Sequence, residues 1–320
     1  MRCEHEVSGE PEASGEHATL NSTRDVRLVE GLTLALQRYE YVNVYFVMLS
    51  LYNAFLALLT FNARPQDVTI LLVDAHPRGG LDEVWNTLFG RVVHAGHLPV
   101  PTRFSALGWI PLTYNSPLRQ LKELRVNYLE EFRRFVLSGH GVNDTRVLNC
   151  SSLKLLFLWR HDYVAHPRNQ GGTISRKIAN EHELLAEVAK AVAPGDRVEG
   201  RQLDAEPMRE QLRMVAGSDV LIGMHGAGLV HSLFLPRHAS LLELYPMNFR
   251  VLQHKPFRAI ASWRGLHYVS WRNTDPTLAR GEYETYVPPA VLVDMITSVR
   301  RQSVLSPASL SREVRVCGEG

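Results

Sequence analysis

With 320 residues, 45% of them hydrophobic, the chain can bury a large core, and at about 150 residues per domain it suggests two domains. The 35 Lys and Arg are set against 33 Asp and Glu, and a net charge of +2 gives no general case for nucleic acid or an acidic membrane surface as partner. Cys3, Cys150 and Cys317 stand far apart, with no C-x-x-C pair and no histidine at zinc-ligand spacing, so neither a disulfide framework nor a metal site is legible.

Residues 1–28 are polar and acidic and lack the basic flank and apolar core of a signal peptide; they read as a poorly ordered lead-in. N-x-[ST] acceptors at Asn21, Asn143 and Asn149 suit a lumenal protein but carry little weight. From Val29 to Tyr41 the pattern is amphipathic. The uncharged run Val44 to Phe61 is close to the minimum length of a bilayer span, yet Ser50 and Asn53 near its middle favour a buried domain helix. Val68 to Val73 reads as a buried parallel strand. It delivers Asp74 and His76 to a strand's carboxyl end, where α/β sheets bind ligands. Leu81 to Phe89 predicts a short helix, Leu98 to Pro117 an irregular connection with one or two short strands, and Pro117 to Leu137 a long amphipathic helix. Ser138 to Thr145 marks the boundary between a first domain, 29–148, and a second, 149–275.

Beyond it the alternation is regular: strand Leu153 to Trp159, helix Asn180 to Val192, edge strand Val198 to Leu203, helix Pro207 to Ala216. Strand Val220 to Ile222, helix Leu229 to Leu235, strand Ser240 to Tyr245, helix Gln253 to Trp263 and strand His267 to Trp271 follow, then a last helix from Pro288 to Arg300. Strands separated by helices of this length imply an α/β fold with a parallel sheet covered on both faces.

Two segments carry chemistry. The turn Gly223 to Gly228 leaves backbone N–H groups unpaired at a helix start, a natural seat for a phosphate, and His225 and His231 add side chains that can donate to it or take a proton. The same glycines serve equally as an ordinary tight turn, and their order matches neither G-x-G-x-x-G nor G-x-x-x-x-G-K-[ST]. Arg160 to Lys177, RHDYVAHPRNQGGTISRK, is basic and lies where a strand's carboxyl end would face that turn across a cleft; its alternative is a solvated loop.

GMHGAGLVHSLFLP, followed by ELYP and RGLHYVSW, resembles the family-61 glycosyltransferases, a group with plant-type core β-1,2-xylosyltransferases and EGF-domain-specific O-GlcNAc transferases among its branches. RHDYVAHPRNQGG with SRK, RYEYVNVY with YNAF, and DEVWNTLF are similar to the xylosyltransferase branch, so that the resemblance covers residues 38–300. It implies a GT-B-type architecture of two Rossmann-like domains facing across a cleft, with residues 276–303 forming a helix that packs back toward the first domain and 304–320 a tail. It also implies an inverting transfer of xylose or GlcNAc from a UDP-sugar to a glycan or glycoprotein hydroxyl, with no prosthetic group and no obligatory metal. Arg160 and Arg168 with Gly223, His225, Gly226, Ala227 and Gly228 would cradle the diphosphate, and Glu243 would accept from the ribose hydroxyls. A Golgi or endoplasmic reticulum lumen is the implied setting, although no signal peptide or clear membrane anchor is evident in the chain. The pattern departs from the family where His and Asp stand four residues apart, for this chain has Phe46 and Ser50. Neither can remove an acceptor proton unaided, which leaves Asp74, His76 and Glu40 as the nearest candidate bases. The alternatives are a catalytically impaired relative serving as a nucleotide- or glycan-binding partner, or a likeness that is only fold-deep.

Overall fold

The computed structural model describes residues 26–98, 101–119, 125–144, 146–149, 151–164, 166, 168–247, 249 and 255–305. All but the last three residues of the expected lead-in, most of the expected tail, the three cysteines, Asn21 and the stretch 120–124 of the expected long helix lie outside those residues.

The amphipathic stretch after the lead-in is a strand, β1 (Arg27–Leu36), exposed at its start and buried over its last four residues. Helix α1 (Val44–Phe61) follows. Asn43 caps it by accepting from the Tyr45 N–H at 3.1 Å, and Asn62 ends it in the left-handed conformation at φ 48°, a role asparagine fills at little cost. Met48, Leu49, Leu51 and Ala54 are wholly buried, so this apolar helix is a core element, covered by the turn of helix that carries the glycine motif. Next come β2 (Thr69–Leu72), α2 (Asp82–Leu88), β3 (Arg91–His94) and β4 (Thr102–Trp109). The four strands form one parallel sheet in the order β3-β2-β1-β4. Where an irregular connection was expected, β4 is a strand of eight residues; it sits on the sheet's edge and is mostly exposed, so it lacks the apolar run that marks a buried strand.

Helix α3 (Leu129–Gly139) is shorter than the expected helix from Pro117 to Leu137. Tyr128, at φ 56°, is in the left-handed region, through which a right-handed helix does not continue. Then come β5 (Lys154–Leu158), β6 (Lys177–Ile178), α4 (Glu181–Ala191), β7 (Arg197–Arg201), α5 (Met208–Ala216), β8 (Val220–Met224), β9 (Ser240–Tyr245), α6 (Pro256–Arg264) and β10 (His267–Arg272). Between β8 and β9 the chain makes a 3-10 helix, Ala227–Phe234, in place of the expected α-helix. The second sheet is also all parallel, β10-β9-β8-β5-β7, with every residue of β8 and β9 buried. A small third sheet pairs β6 with β12 (Glu284–Thr285) and β12 with β11 (Ala279–Arg280).

The last helix, α7 (Pro289–Leu305), packs on α4 and β10 and joins the apolar layer of the second sheet through Leu292, Met295, Ile296 and Val299. This corrects the expectation that it packs toward the first half, because its apolar face is matched to the outer face of the second sheet. On the inner face, one apolar core runs without a break from Leu34, Met48 and Ile70 to Leu156, Leu221, Phe234 and Leu241. Arg133 and Arg264 close the 3-10 helix from that side, donating to the Phe234 carbonyl at 3.0 Å and the Leu235 carbonyl at 2.6 Å. Each sheet has one point where the chain reverses its direction of strand addition, between β1 and β4 in the first and between β5 and β8 in the second. Such points open a crevice at the strands' carboxyl ends.

Candidate functional site

A cavity of about 680 Å3 occupies the crevice at the carboxyl ends of β5 and β8. The second half contributes Arg160, Tyr163, Arg176, Asp204, Gly228 and His231, and the first half closes it with Glu40, Asn43, Leu81 and Glu83.

Arg160 leaves the end of β5 and its Nε donates to the Ser175 carbonyl at 3.0 Å. Its guanidinium lies on the backbone of Gly226, where a Cβ would stand 2.2 Å from Nη1. Gly226 is extended (φ 177°), so glycine is needed here for close approach and not for conformation. Arg176, at φ 63°, donates from Nη1 to the His225 carbonyl at 2.7 Å and sets its guanidinium 5.5 Å from the Phe249 ring centre. Burial lowers the pKa of both: Arg176 falls to about 10, with the charge of Arg160 adding to the effect, while in Arg160 Tyr163 and Asp204 work against it. Among the described residues neither guanidinium has a carboxylate within ion-pair distance. Two half-buried guanidiniums on one cavity wall, neither in an ion pair with a carboxylate, gain most when an anion binds there, and their forked donors suit phosphate oxygens. Arg176 was not singled out in the sequence. It lies within the basic segment, but its approach to the glycine turn depends on a backbone conformation that no local pattern announces.

Ala227 and Gly228 line the cavity, whereas Gly223 and Gly226 lie beneath it. The His225 ring is turned away among Tyr245, Phe249 and Phe257, and its Nδ1 is 2.5 Å from Glu243 Oε1. Glu243 is fully buried and its other oxygen accepts from Tyr268 at 2.6 Å. The expected reach of Glu243 to ribose hydroxyls is therefore corrected: both oxygens are engaged under the cavity floor, where the pair stiffens the turn above it. His231 also differs from expectation. Its Nδ1 lies 2.8 Å from the Gly228 carbonyl, which fixes the proton on that nitrogen, and burial lowers its pKa to about 4. At neutral pH it is uncharged, and its buried Nε2 carries a lone pair and no positive charge for a phosphate.

The three candidate bases separate. Asp74 accepts from the Arg38 backbone N–H at 2.9 Å and from its guanidinium at 2.7 Å. Burial alone would raise its pKa, but the Arg38 bonds outweigh burial and lower it, so Asp74 is a structural counter-ion and not a free base. Arg38 bonds Asp82 as well, at 2.7 Å, and the three side chains anchor the loop that carries Tyr39 and Glu40. His76 stacks on Tyr41 at 4.9 Å and faces a second, smaller cavity. Glu40 lines both cavities. Its Oε2 accepts from Arg168 at 2.7 Å, and its buried Oε1 has no hydrogen-bond partner, although His166 Nε2 stands 3.4 Å away. The Arg168 side chain lines the same cavity as Arg160 but is 73% exposed and pairs with the Glu40 carboxylate. Phe46 and Ser50 line neither cavity. Phe46 packs on Tyr39 at 4.8 Å, and Ser50 is buried with its Oγ 2.7 Å from Thr113 Oγ1. Among the described residues no three His, Cys, Asp or Glu side chains are grouped to hold a metal ion.

Residues 50–242 match the model of the family described as Glycosyltransferase 61. The chain is 27% identical over 278 residues to the beta-1,2-xylosyltransferase of Arabidopsis thaliana, a match that takes in 75% of this chain and 51% of that protein. It is 39% identical over 103 residues to protein O-linked-mannose beta-1,4-N-acetylglucosaminyltransferase 2 of Takifugu rubripes, covering 32% of this chain and 17% of the other. A third relative, EGF domain-specific O-linked N-acetylglucosamine transferase of Gallus gallus, is 38% identical over 97 residues, 30% of this chain and 17% of its own. The chain thus spans about half the length of the xylosyltransferase it matches.

Proposed function

The chain belongs to glycosyltransferase family 61, and from that premise we propose that it transfers a sugar, xylose or GlcNAc, from a UDP-sugar to a hydroxyl of a glycan or glycoprotein. The observation that carries the donor assignment is the pair Arg160 and Arg176, two half-buried charges without a carboxylate in ion-pair contact on one wall of a cavity large enough for a nucleotide sugar. In this reading residues 29–148 and 149–275 act as the two Rossmann-like halves of a GT-B arrangement, the second holding the nucleotide. Golgi or endoplasmic reticulum lumen is the proposed setting, in keeping with the relatives' glycosylation chemistry.

The reaction we assign is an inverting displacement. Glu40 takes the proton of the acceptor hydroxyl as its oxygen attacks the anomeric carbon. The bond from that carbon to the diphosphate breaks, and the electron pair leaves on UDP. Arg160, Arg176 and the N–H groups at Ala227 and Gly228 face the negative charge that grows on the diphosphate, which is where preorganised donors lower a barrier most. We assign the leaving charge to these groups without an obligatory metal. Glu40 takes the part of base because Asp74 is bound to Arg38 and His76 lies outside the larger cavity.

UDP titration tests the donor half. UDP is expected to raise the melting temperature, by about 2.7 kcal/mol of stabilisation at a hundredfold excess over Kd, and Arg160→Ala to remove the shift. No shift with UDP would overturn the assignment. UDP binding without transfer of xylose or GlcNAc to any glycan or EGF-like acceptor would leave the chain as a nucleotide-binding partner.

A further inference from the structure

Beside the donor cavity lies a second one of about 330 Å3, walled by Tyr39, Glu40, Tyr41, His76, His166 and Arg168. It shares Glu40, His166 and Arg168 with the first, so the two meet at one carboxylate. Resting on the transferase reading above, we propose that this second cavity is the acceptor subsite, and that it seats a terminal neutral sugar ring of a glycan with the reacting hydroxyl against Glu40.

Four observations converge on that occupant. Tyr39 and Glu40 lie just beyond β1, at the point where the first sheet reverses its strand order, the place in a parallel sheet where a crevice opens. The walls combine an aromatic face with groups that bond hydroxyls: a sugar ring has an apolar C–H face to lie on the half-exposed Tyr39 and a hydroxyl rim for Glu40, His76, His166 and Arg168, while the buried Tyr41 backs the wall under His76. Charge in the wall is matched, since Arg168 pairs with Glu40, which favours an uncharged ligand over a phosphorylated one. Lastly, Glu40 Oε1 is buried without a hydrogen-bond partner at the junction, an acceptor that a ligand hydroxyl would satisfy. A volume near the lower end of ligand pockets admits one or two sugar rings and no folded protein surface.

The same reading gives Phe46 a purpose. Tyr39 is 49% exposed and is held upright by Phe46 at 4.8 Å and by Tyr114, edge-on, at 4.4 Å. Phe46 thus supports an aromatic row of Tyr39, Phe46 and Tyr114, along which further sugar rings of the acceptor can lie.

The test uses the full chain and three neutral probes, mannobiose, N-acetylchitobiose and lactose, followed by saturation-transfer NMR, with UDP titrated calorimetrically on the same samples. At least one disaccharide is expected to bind, Tyr39→Ala and His76→Ala each to weaken it about tenfold, and UDP affinity to stay unchanged in both variants. Retained UDP binding shows that each variant is folded. If UDP binds and no disaccharide does, or if a bound disaccharide is indifferent to both substitutions, the acceptor subsite is overturned while the donor assignment stands. If a protein acceptor is modified with the same KM by wild type and Tyr39→Ala, the glycan assignment is likewise overturned. Failure of UDP itself would instead overturn the transferase reading.

Discussion

Gly226→Ala isolates the contact between the glycine turn and Arg160. The added methyl would stand 2.2 Å from Nη1 and 3.0 Å from Cζ, so the guanidinium has to shift from its seat on the turn. Because the backbone at 226 is extended, alanine adopts it without strain, and the perturbation falls on Arg160 alone. A hydrogen bond to a charged group contributes about 1.5 to 3 kcal/mol, so UDP should bind roughly 10- to 150-fold more weakly. Gly96→Ala is the control, since its Cβ would meet nothing within 4 Å and Gly96 lines neither cavity, and its UDP affinity should stay close to wild type. Titration calorimetry on wild type, both alanine variants, Arg160→Ala and the Gly226→Ala, Arg160→Ala double variant checks the claim. The double variant should bind no worse than Arg160→Ala, because the two changes remove the same contact. Wild-type affinity in Gly226→Ala beside a large loss in Arg160→Ala would refute the idea that glycine at 226 exists to seat the arginine.

Glu40→Gln should lower kcat about 10^2- to 10^4-fold with UDP affinity unchanged. Asp74→Asn should instead lower stability by about 3 kcal/mol in urea denaturation, because it leaves the buried Arg38 with Asp82 alone; a fall in kcat at an unchanged midpoint would restore Asp74 as the base. His231 titrates near 4 in the folded chain and near 6.5 when unfolded, so its contribution is complete above about 6.5 and is lost as pH falls through 4. Wild type should lose about 3 kcal/mol from this group across that window, and His231→Gln should show a shallower pH dependence in acid denaturation. Ser50→Asp places a carboxylate in a site that is only 4% exposed, and it should depress the melting temperature without creating transfer, alone or with Phe46→His; gain of activity in the double variant would reinstate those positions as the acceptor-side groups.

Much of the second half was legible because its three central strands are buried on both faces. The apolar runs at Leu153, Val220 and Ser240 mark β5, β8 and β9 to within one or two residues. Edge strand β4 carried no such run, and the left-handed Tyr128 that starts α3 late leaves no mark in an apolar spacing that continues across it. In the site, Arg160 could be found from its place at a strand end. The roles of Arg176, Glu243 and Arg38 could not, since each depends on a partner brought near by the sheets: the His225 carbonyl 49 residues on, the His225 ring 18 residues back, and Asp74 36 residues on. Side-chain type suggested a carboxylate for the ribose at Glu243, but burial and pairing decided otherwise.

The position of α1 has a consequence for biosynthesis. This apolar helix emerges early, yet the surface that covers it includes the 3-10 helix Ala227–Phe234, made much later in the chain. Until that segment is synthesised, the first half displays an uncovered greasy flank, at the rates of chain growth an interval of many seconds. The first half by itself is thus a client for chaperones and a poor candidate for separate expression. Completion of the glycine motif at once closes one wall of the larger cavity and covers that flank, so the shaping of the cavity and the burial of the helix are coupled in the same step.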